Sequence, residues 1–143
     1  MKLKSNTGSF QLSIKGYGVK GTHWRDRNSL QCELSTEWQK QFHTQLAPLQ
    51  TWEIKRLING LKLLVSRAVN HVTISFNEPG LNVEAKSLSN ESFHLQIQLD
   101  HSMAPSWHPY PDFPLLVDVT LTRIQLRDII RDLVRQLALF PER

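Results

Sequence analysis

The alternation of apolar and polar residues constrains the fold of this chain more than any other feature of its sequence. Apolar residues occupy every second position in several short segments, most clearly in residues 10–14, 30–34 and 93–99. Successive side chains of an extended strand point to opposite faces, so this period predicts strands with one buried and one solvated face. Trp38, Phe42 and Leu46 share one side of a weaker alternation, which predicts a further strand across residues 38–46.

Two other segments repeat at the helical spacing of three and four residues. The first follows Thr51, whose hydroxyl can accept a free amide at a helix start. Its apolar stripe consists of Ile54, Leu57, Ile58, Leu61, Val65 and Ala68. The second follows Thr122 and Gln125, which fit a capping box. Its apolar stripe consists of Leu126, Ile130, Leu133, Val134 and Leu137.

A tight turn is predicted at Glu78-Pro79-Gly80-Leu81, between alternating segments at 72–76 and 81–85. Proline fixes φ at the second position of such a turn, and glycine accepts a positive φ at the third. One more strand is predicted through residues 117–121. The predicted order is βββαββββα, with antiparallel pairing of strands that short turns connect. We therefore expect an α+β fold with one antiparallel sheet of about six to seven strands and two helices packed on it.

The size and composition of the chain indicate one domain that needs no covalent or metal staple. It has 143 residues, close to the roughly 150 of a typical domain, so we expect a single domain over residues 1–143. A single cysteine, Cys32, excludes an intrachain disulfide and any multi-cysteine metal site. No apolar stretch is long enough to cross a bilayer, and the first residues lack the apolar core of a secretory signal. We expect a soluble protein of the cytoplasm without a membrane partner.

The residue types that carry catalysis or bind cofactors form no recognisable motif. The six histidines include no i, i+4 pair, and only His101 and His108, which flank a loop, could converge into a site. No Gly-x-Ser-x-Gly element is present, and Gly16-Tyr17-Gly18 lacks the third glycine of a dinucleotide loop. Cys32 lies on the apolar side of its strand, which indicates a buried and inert thiol. The residues predict no metal, no cofactor and no catalytic group, and therefore a protein that is not an enzyme.

A row of arginines is the first candidate for binding. Arginines recur at every fourth position of the second predicted helix, at residues 123, 127, 131 and 135. Asp128 and Asp132 each lie three residues before an arginine and offset the like-charge repulsion. The row is therefore either a solvated, ion-paired face or a strip for an acidic partner or a phosphate backbone. In the second case we expect Arg127 and Arg131 to contact the partner.

Two loops are the other candidates. In the basic loop Tyr17–Arg27, Trp24 and Arg25 combine an aromatic ring with a cation, as in surfaces that stack on bases. The proline-rich segment 105–114 carries three more aromatic residues, Trp107, Tyr110 and Phe113. Prolines limit the entropy lost on binding, so these rings are candidate anchors for a partner. The alternative is that the rings fold back over the sheet edge as a lid.

Four short motifs occur in order along the chain. The first strand ends in Gly16-Tyr17, an Asp-x-Asn sequence at 26–28 precedes an apolar strand, and a Phe-x-Glu-Pro-x-Leu sequence follows the first helix at 76–81. A Phe-Pro-x-Arg sequence occupies residues 140–143. Together the motifs resemble those of the WapI-type immunity proteins, a family of small bacterial proteins. The residues that carry the resemblance are Tyr17, Phe76, Glu78, Pro79, Leu81, Phe140 and Pro141.

The resemblance implies a non-enzymatic intracellular protein that binds a cognate toxin domain and neutralises it by occluding it. It implies no catalytic residues and no cofactor, and it leaves the oligomeric state open. One alternative is a nucleic-acid-binding accessory domain that uses the arginine row and the basic loop; the formal charge of +4 makes nucleic acid possible but less favoured. Another is a small-molecule hydrolase, which requires the histidines at 101 and 108 to converge. Glu78 itself is expected to accept backbone amides within its turn.

Overall fold

The computed structural model describes residues 1–5, 8–18, 27–78, 80–110 and 112–143. These residues form eight strands, two α-helices and one short 3₁₀ turn, His101–Met103. The strands are β1 (Lys2–Lys4), β2 (Gly8–Tyr17), β3 (Ser29–Trp38), β4 (Gln41–Gln50), β5 (His71–Ser75), β6 (Leu81–Ser87), β7 (Ser92–Leu99) and β8 (Leu115–Thr122). The helices are α1 (Thr51–Val65) and α2 (Arg123–Ala138).

The strands form two antiparallel sheets, with the orders β1-β2-β3-β4 and β5-β6-β7-β8. This confirms the α+β class, the antiparallel pairing and the two helices. The expectation of one sheet with six to seven strands in the order βββαββββα is wrong in two respects. First, β1 was missed because three residues with one apolar side chain, Leu3, cannot show a period. Second, α1 separates β4 from β5, and an alternation pattern does not reveal that strands on either side of a helix do not pair.

The segment 38–46 is a hairpin turn followed by a strand, where one strand was predicted. Gln39 and Lys40 both have positive φ, 46° and 68°, which is typical of a two-residue type I′ turn between β3 and β4. Phe42 and Leu46 lie on the solvent face of β4, with 71% and 54% of their surface exposed. The core face of β4 instead contains Ala47 and Leu49.

Each helix contacts both sheets. α1 packs against β4, β5 and β6, whereas α2 packs against β2, β7 and β8, and the two helices also contact each other. Buried apolar residues from both sheets and both helices therefore form one continuous cluster. The predicted stripes lie in this cluster with two exceptions. Ala68 lies beyond the end of α1 and is exposed, so its place on the stripe is wrong. Val134 is 42% exposed, and Ile129 is buried in its place.

The helix starts agree with the capping predictions at α2 and differ by one residue at α1. The Gln125 amide donates to Thr122 Oγ1 at 3.2 Å, and the Thr122 amide donates to Gln125 Oε1 at 2.9 Å, which confirms the capping box. At α1 the cap is Gln50, whose amide donates to Glu53 Oε1 at 2.9 Å. Thr51 is already helical, and its hydroxyl donates to the carbonyl oxygen of Asn28 at 2.9 Å.

The turn between β5 and β6 depends on a glycine, as predicted. Gly80 has a φ of +94°, and a Cβ atom there would lie 2.1 Å from the carbonyl oxygen of Asp100. The Asp100 amide donates to the Gly80 carbonyl oxygen at 2.8 Å, which holds the turn against the end of β7. Pro79 lies outside the described residues.

We expect Gly80→Ala to lower the free energy of unfolding by about 1–3 kcal/mol, because the new Cβ combines an unfavourable φ with a backbone clash. Urea unfolding followed by far-UV circular dichroism measures the change. Gly16→Ala is the matched control, since a Cβ at Gly16 meets no atom within 4 Å. Equal stability of the Gly80 variant and the unmodified chain would contradict the assignment.

We expect the double substitution Gln39→Asn and Lys40→Gly to raise the free energy of unfolding by about 1 kcal/mol. Asn-Gly suits a type I′ turn, because both residues adopt a positive φ with less strain than Gln and Lys. Thermal unfolding provides the comparison. Asn90→Gly lies in the β6–β7 turn, where φ is not positive, and should be neutral or destabilising. If the Asn-Gly variant is less stable than the unmodified chain, the turn type is wrong.

Candidate functional site

Residues of the sequence motifs at the two ends of the chain meet in one cluster, here called the C-terminal clasp: Tyr17, Asn28, Phe140, Pro141 and Arg143. The Tyr17 hydroxyl donates to the Pro141 carbonyl oxygen at 2.5 Å, and its ring meets Phe140 edge to face at 5.6 Å. The Arg143 guanidinium lies 3.6 Å from the centre of the Tyr17 ring. Fully buried Asn28 donates to the Arg143 carbonyl oxygen at 2.9 Å and accepts from its amide at 2.6 Å. The clasp fastens residues 140–143 to the first sheet.

The Phe-x-Glu-Pro-x-Leu motif is also part of the scaffold. Phe76 and Leu81 are buried in the core, and the Phe76 amide donates to the Leu81 carbonyl oxygen at 3.3 Å. The carboxylate that accepts a backbone amide at this turn belongs to buried Glu53, whose Oε2 takes the Asn77 amide at 2.6 Å. Glu78 is partly buried, and its side chain makes no hydrogen bond within the described part of the chain. Sequence reasoning missed Glu53, although its position in the first turn of α1 is a capping signal.

The proline-rich segment is anchored on the first sheet. Gln45 Nε2 donates to the Met103 carbonyl oxygen at 2.7 Å, and Ser106 Oγ lies 3.3 Å from His43 Nδ1. Trp107 stacks on Trp38 with ring centres 6.4 Å apart and planes 14° from parallel. These contacts join the loop between β7 and β8 to the hairpin of β3 and β4.

The three predicted aromatic anchors of this segment have two different environments. Trp107 is half-buried on Trp38, as expected of a lid. Tyr110 and Phe113 remain 66% and 67% exposed. His108 supports the exposed end, because its Nε2 lies 2.8 Å from the Phe113 carbonyl oxygen and its ring meets Tyr110 edge to face. We call Tyr110 and Phe113, with the Trp107 that anchors them, the aromatic loop.

A cleft of about 220 Å³ lies beside the stacked tryptophans, between the start of β2, the end of β3 and the start of β8. Trp38, Trp107, Glu37 and Leu115 line it. The Trp107 indole Nε1 is buried and has no hydrogen-bond partner among the described residues. A buried donor without a partner costs about 1–3 kcal/mol, so the stacking of Trp107 on Trp38 offsets a local penalty.

The arginines of the row differ in exposure and in their partners. Arg123 is only 12% exposed: it donates to the carbonyl oxygens of Val65 and Asn90, and its guanidinium lies 5.2 Å from the centre of the Phe93 ring. Arg131 pairs with Asp128 at 3.2 Å, as predicted for an ion-paired face. Arg127 is exposed and lines, with Arg131, a groove of about 410 Å³ between the two helices.

The aspartate predicted to balance Arg135, Asp132, is stabilised by the Arg135 charge and has two further partners. The Asp132 carboxylate accepts a hydrogen bond from the ammonium group of Met1 and another from Gln136 Nε2, the latter at 2.9 Å. Partial burial alone would raise the pKa of Asp132, but the hydrogen bonds, together with the positive charges of the Met1 ammonium group and Arg135, outweigh it and hold the pKa below its ordinary value. Because the same ammonium group donates to the Leu12 carbonyl oxygen at 2.9 Å, Asp132 connects α2 to β2.

Trp24 and Arg25 lie outside the described residues, so their part in a surface stays a prediction. His101 is highly exposed beside its own neighbour, Asp100, at 3.7 Å, whereas His108 is bound to Phe113. Within the described ranges, no group of three or more His, Cys, Asp or Glu side chains is placed to hold a metal ion. None of the helices in those ranges is long and apolar enough to span a membrane.

Cys32 is fully buried in the first sheet. Desolvation, with a smaller contribution from the nearby Glu53 carboxylate, raises the pKa of its thiol to about 12. Thiolate is the reactive form, so this environment suppresses nucleophilic and redox chemistry, in agreement with the predicted inert thiol.

Exposed aromatic residues on an anchored loop are the features of a protein-binding module. The family comparison agrees: the model of the immunity protein WapI-like family matches residues 2–141. The chain belongs to this family, which confirms the resemblance found in its motifs and associates it with toxin neutralisation and a toxin partner. No curated protein and no solved structure matches the chain.

We expect Cys32 to resist alkylation by iodoacetamide in the folded protein at about pH 8, because its thiol is both buried and protonated. Intact-mass spectrometry over several hours should show the unmodified mass, whereas the chain in urea should gain one adduct. Rapid labelling of the folded chain would show that the thiol is accessible and reactive.

Proposed function

We propose that this protein is a non-enzymatic inhibitor that neutralises a bacterial toxin domain by covering the surface through which the toxin acts. The aromatic loop is the contact surface, and the observation that carries the proposal is the exposure of Tyr110 and Phe113 on a segment fixed to the first sheet. Membership of an immunity family supports the class of partner.

The loop has the physical properties of an interface centre. Aromatic side chains give a large contact area for few rotatable bonds, and truncating such anchors often costs 2 kcal/mol or more of binding free energy, on the order of 30-fold in affinity. The stack of Trp107 on Trp38 and the bond from His108 to Phe113 order the loop before binding, so little conformational entropy remains to be lost.

The other predicted contact residues have secondary roles in this proposal. Arg127 presents a cation along the helix groove beside the paired Arg131, and it would steer an acidic partner towards the chain. Trp24 and Arg25 would extend the interface from the basic loop, an assignment that rests on the sequence alone.

The nucleic-acid alternative receives less support. Four arginines in a row would neutralise several phosphates, but Arg123 is committed to backbone carbonyls and Arg131 is paired with Asp128. The described residues lining the groove beside Arg127 include no aromatic side chain on which a base could stack. A protein that depends on this row for binding would lose affinity steeply with salt.

The test begins with capture of the toxin domain from the native host, with and without nuclease, and continues with the purified pair. We expect Tyr110→Ala combined with Phe113→Ala to weaken binding by at least about 30-fold in isothermal titration calorimetry. Leu88→Ala combined with Ile124→Ala is the matched control, because it removes two equally exposed apolar side chains elsewhere. Thermal unfolding verifies that neither variant is unfolded.

Equal affinity of the two double variants would move the interface away from the aromatic loop. Binding that disappears on nuclease treatment, or that Arg127→Ala with Arg131→Ala abolishes in a strongly salt-dependent manner, would favour the nucleic-acid alternative.

A further inference from the structure

The strand β4 is an unprotected edge of the first sheet. It is the longest of the four edge strands, and none of its ten residues, Gln41–Gln50, is Asp, Glu, Lys or Arg. Its solvent face carries Phe42, Thr44 and Leu46, all exposed. No described residue supplies a backbone hydrogen bond to the open side of this edge.

The hairpin turn determines which backbone groups the edge offers. In a two-residue hairpin the flanking residues, Trp38 and Gln41, form a hydrogen-bonded pair, and hydrogen-bonded positions then alternate along the ladder. The amide and carbonyl groups of Phe42, Thr44 and Leu46 therefore point away from β3. Pro48 would be the next residue in this series, and it has no amide hydrogen to donate.

The other three edges are protected in the ways usual for sheet proteins. β1 has three residues and carries Lys2 and Lys4 on its solvent side. β5 has five residues. β8 places Asp118 on its exposed face, where the carboxylate binds His94 and Gln96. Among the four edges that the structure describes, β4 thus combines the greatest length with the absence of charged residues, whereas the uncharged β5 has only five residues.

We propose that β4 pairs with β4 of a second copy of this chain, antiparallel and about a two-fold axis at Thr44. The row Phe42-x-Thr44-x-Leu46 is self-complementary in this register, because Thr44 faces its own copy and Phe42 faces Leu46 of the second copy. Each pair exchanges two backbone hydrogen bonds, and the two apolar pairs cover side chains that are otherwise in water. The two first sheets become one continuous eight-stranded sheet.

Charge placement suits this register. The paired row is uncharged, so two copies of a chain with a net charge of +4 meet without like charges in contact. At each end of the row, Lys40 of one copy lies opposite Pro48 of the other copy. Glu33 of that other copy, which pairs with Leu46, lies in the neighbouring row. Three residue pairs along one pair of strands bury less than the roughly 1,200 Å² of a stable interface, so the dimer dissociates in the micromolar range.

The pairing is independent of toxin binding. His43 and Gln45, on the other side of β4, hold the proline-rich segment, while the dimer uses the outward backbone groups and the solvent face. A monomeric chain that neutralises its toxin would overturn only the dimer, and a dimer that binds no toxin would overturn only the proposed function.

The experiment uses the full chain alone. Analytical ultracentrifugation from about 1 to 300 µM should show a monomer–dimer equilibrium with a dissociation constant in the micromolar range. Leu46→Lys should shift that equilibrium at least tenfold towards monomer, because it places two charges in the paired row. The control is Leu116→Lys, at a leucine on β8 that is 46% exposed, against 54% for Leu46.

Thr44→Cys tests the register. Directly opposite residues of a hydrogen-bonded antiparallel pair lie about 5.5 Å apart at Cα, within the range of a disulfide. Mild oxidation should therefore convert most of this variant into a covalent dimer, and buried Cys32 does not compete. Thr120→Cys, at an exposed threonine on β8, should cross-link far more slowly.

A chain that stays monomeric to about 300 µM would overturn the proposal, as would Thr44→Cys and Thr120→Cys cross-linking at equal rates. A dimer that Leu46→Lys leaves intact would place the interface elsewhere. If Leu46→Lys abolishes toxin binding while the unmodified chain is monomeric, β4 is a docking edge for the toxin, and the self-pairing proposal is wrong.

Discussion

The packing of α1 against α2 is the interaction on which both sheets depend. Each sheet is apolar on one face only, and the two sheets do not share a strand pair. Each helix contacts both sheets, so the pair fills the space between two surfaces that would otherwise face water. Arg123 strengthens the joint by donating to the last residues of α1 and to the β6–β7 turn, and Asp132 connects α2 to the first sheet. A substitution that disrupts the packing of either helix would therefore destabilise both sheets.

The sequence predicted those elements whose pattern arises from local burial. The clean alternations in β2, β3 and β7 and the helical stripes correspond to residues that face one shared core. β4 was misread because its solvent face carries Phe42 and Leu46, while the inward His43 and Gln45 are polar. Those polar residues are tolerated because the loop between β7 and β8 supplies their partners, Ser106 and Met103. A contact across about sixty residues of chain is not visible in a local pattern, and neither is the division of eight strands into two sheets.

In the candidate surfaces too, contacts with distant parts of the chain determine the environment of single residues, and the local sequence does not reveal them. Arg123 and Arg127 occupy equivalent places in a four-residue repeat, yet only Arg123 meets the carbonyl groups of Val65 and Asn90. Trp107 and Phe113 occur in one proline-rich segment, yet only Trp107 finds a ring, Trp38, on which to stack. Sequence identifies residue types suited to binding, whereas the partners that remove some of them from solvent come from distant parts of the fold.

The motif residues and the exposed residues of this chain have different roles, and this difference explains why family membership predicts the fold but not the individual partner. The side chains of four motif residues make internal contacts. Tyr17 and Phe140 pack in the C-terminal clasp, and Phe76 and Leu81 are buried in the core. A side chain fully engaged in the scaffold cannot also select a partner, so these motifs specify the fold and the general class of the protein. Under the proposed function, the choice of partner therefore depends on residues outside these motifs. The aromatic loop satisfies that requirement because Trp107 supplies its rigidity while Tyr110 and Phe113 keep their surfaces free.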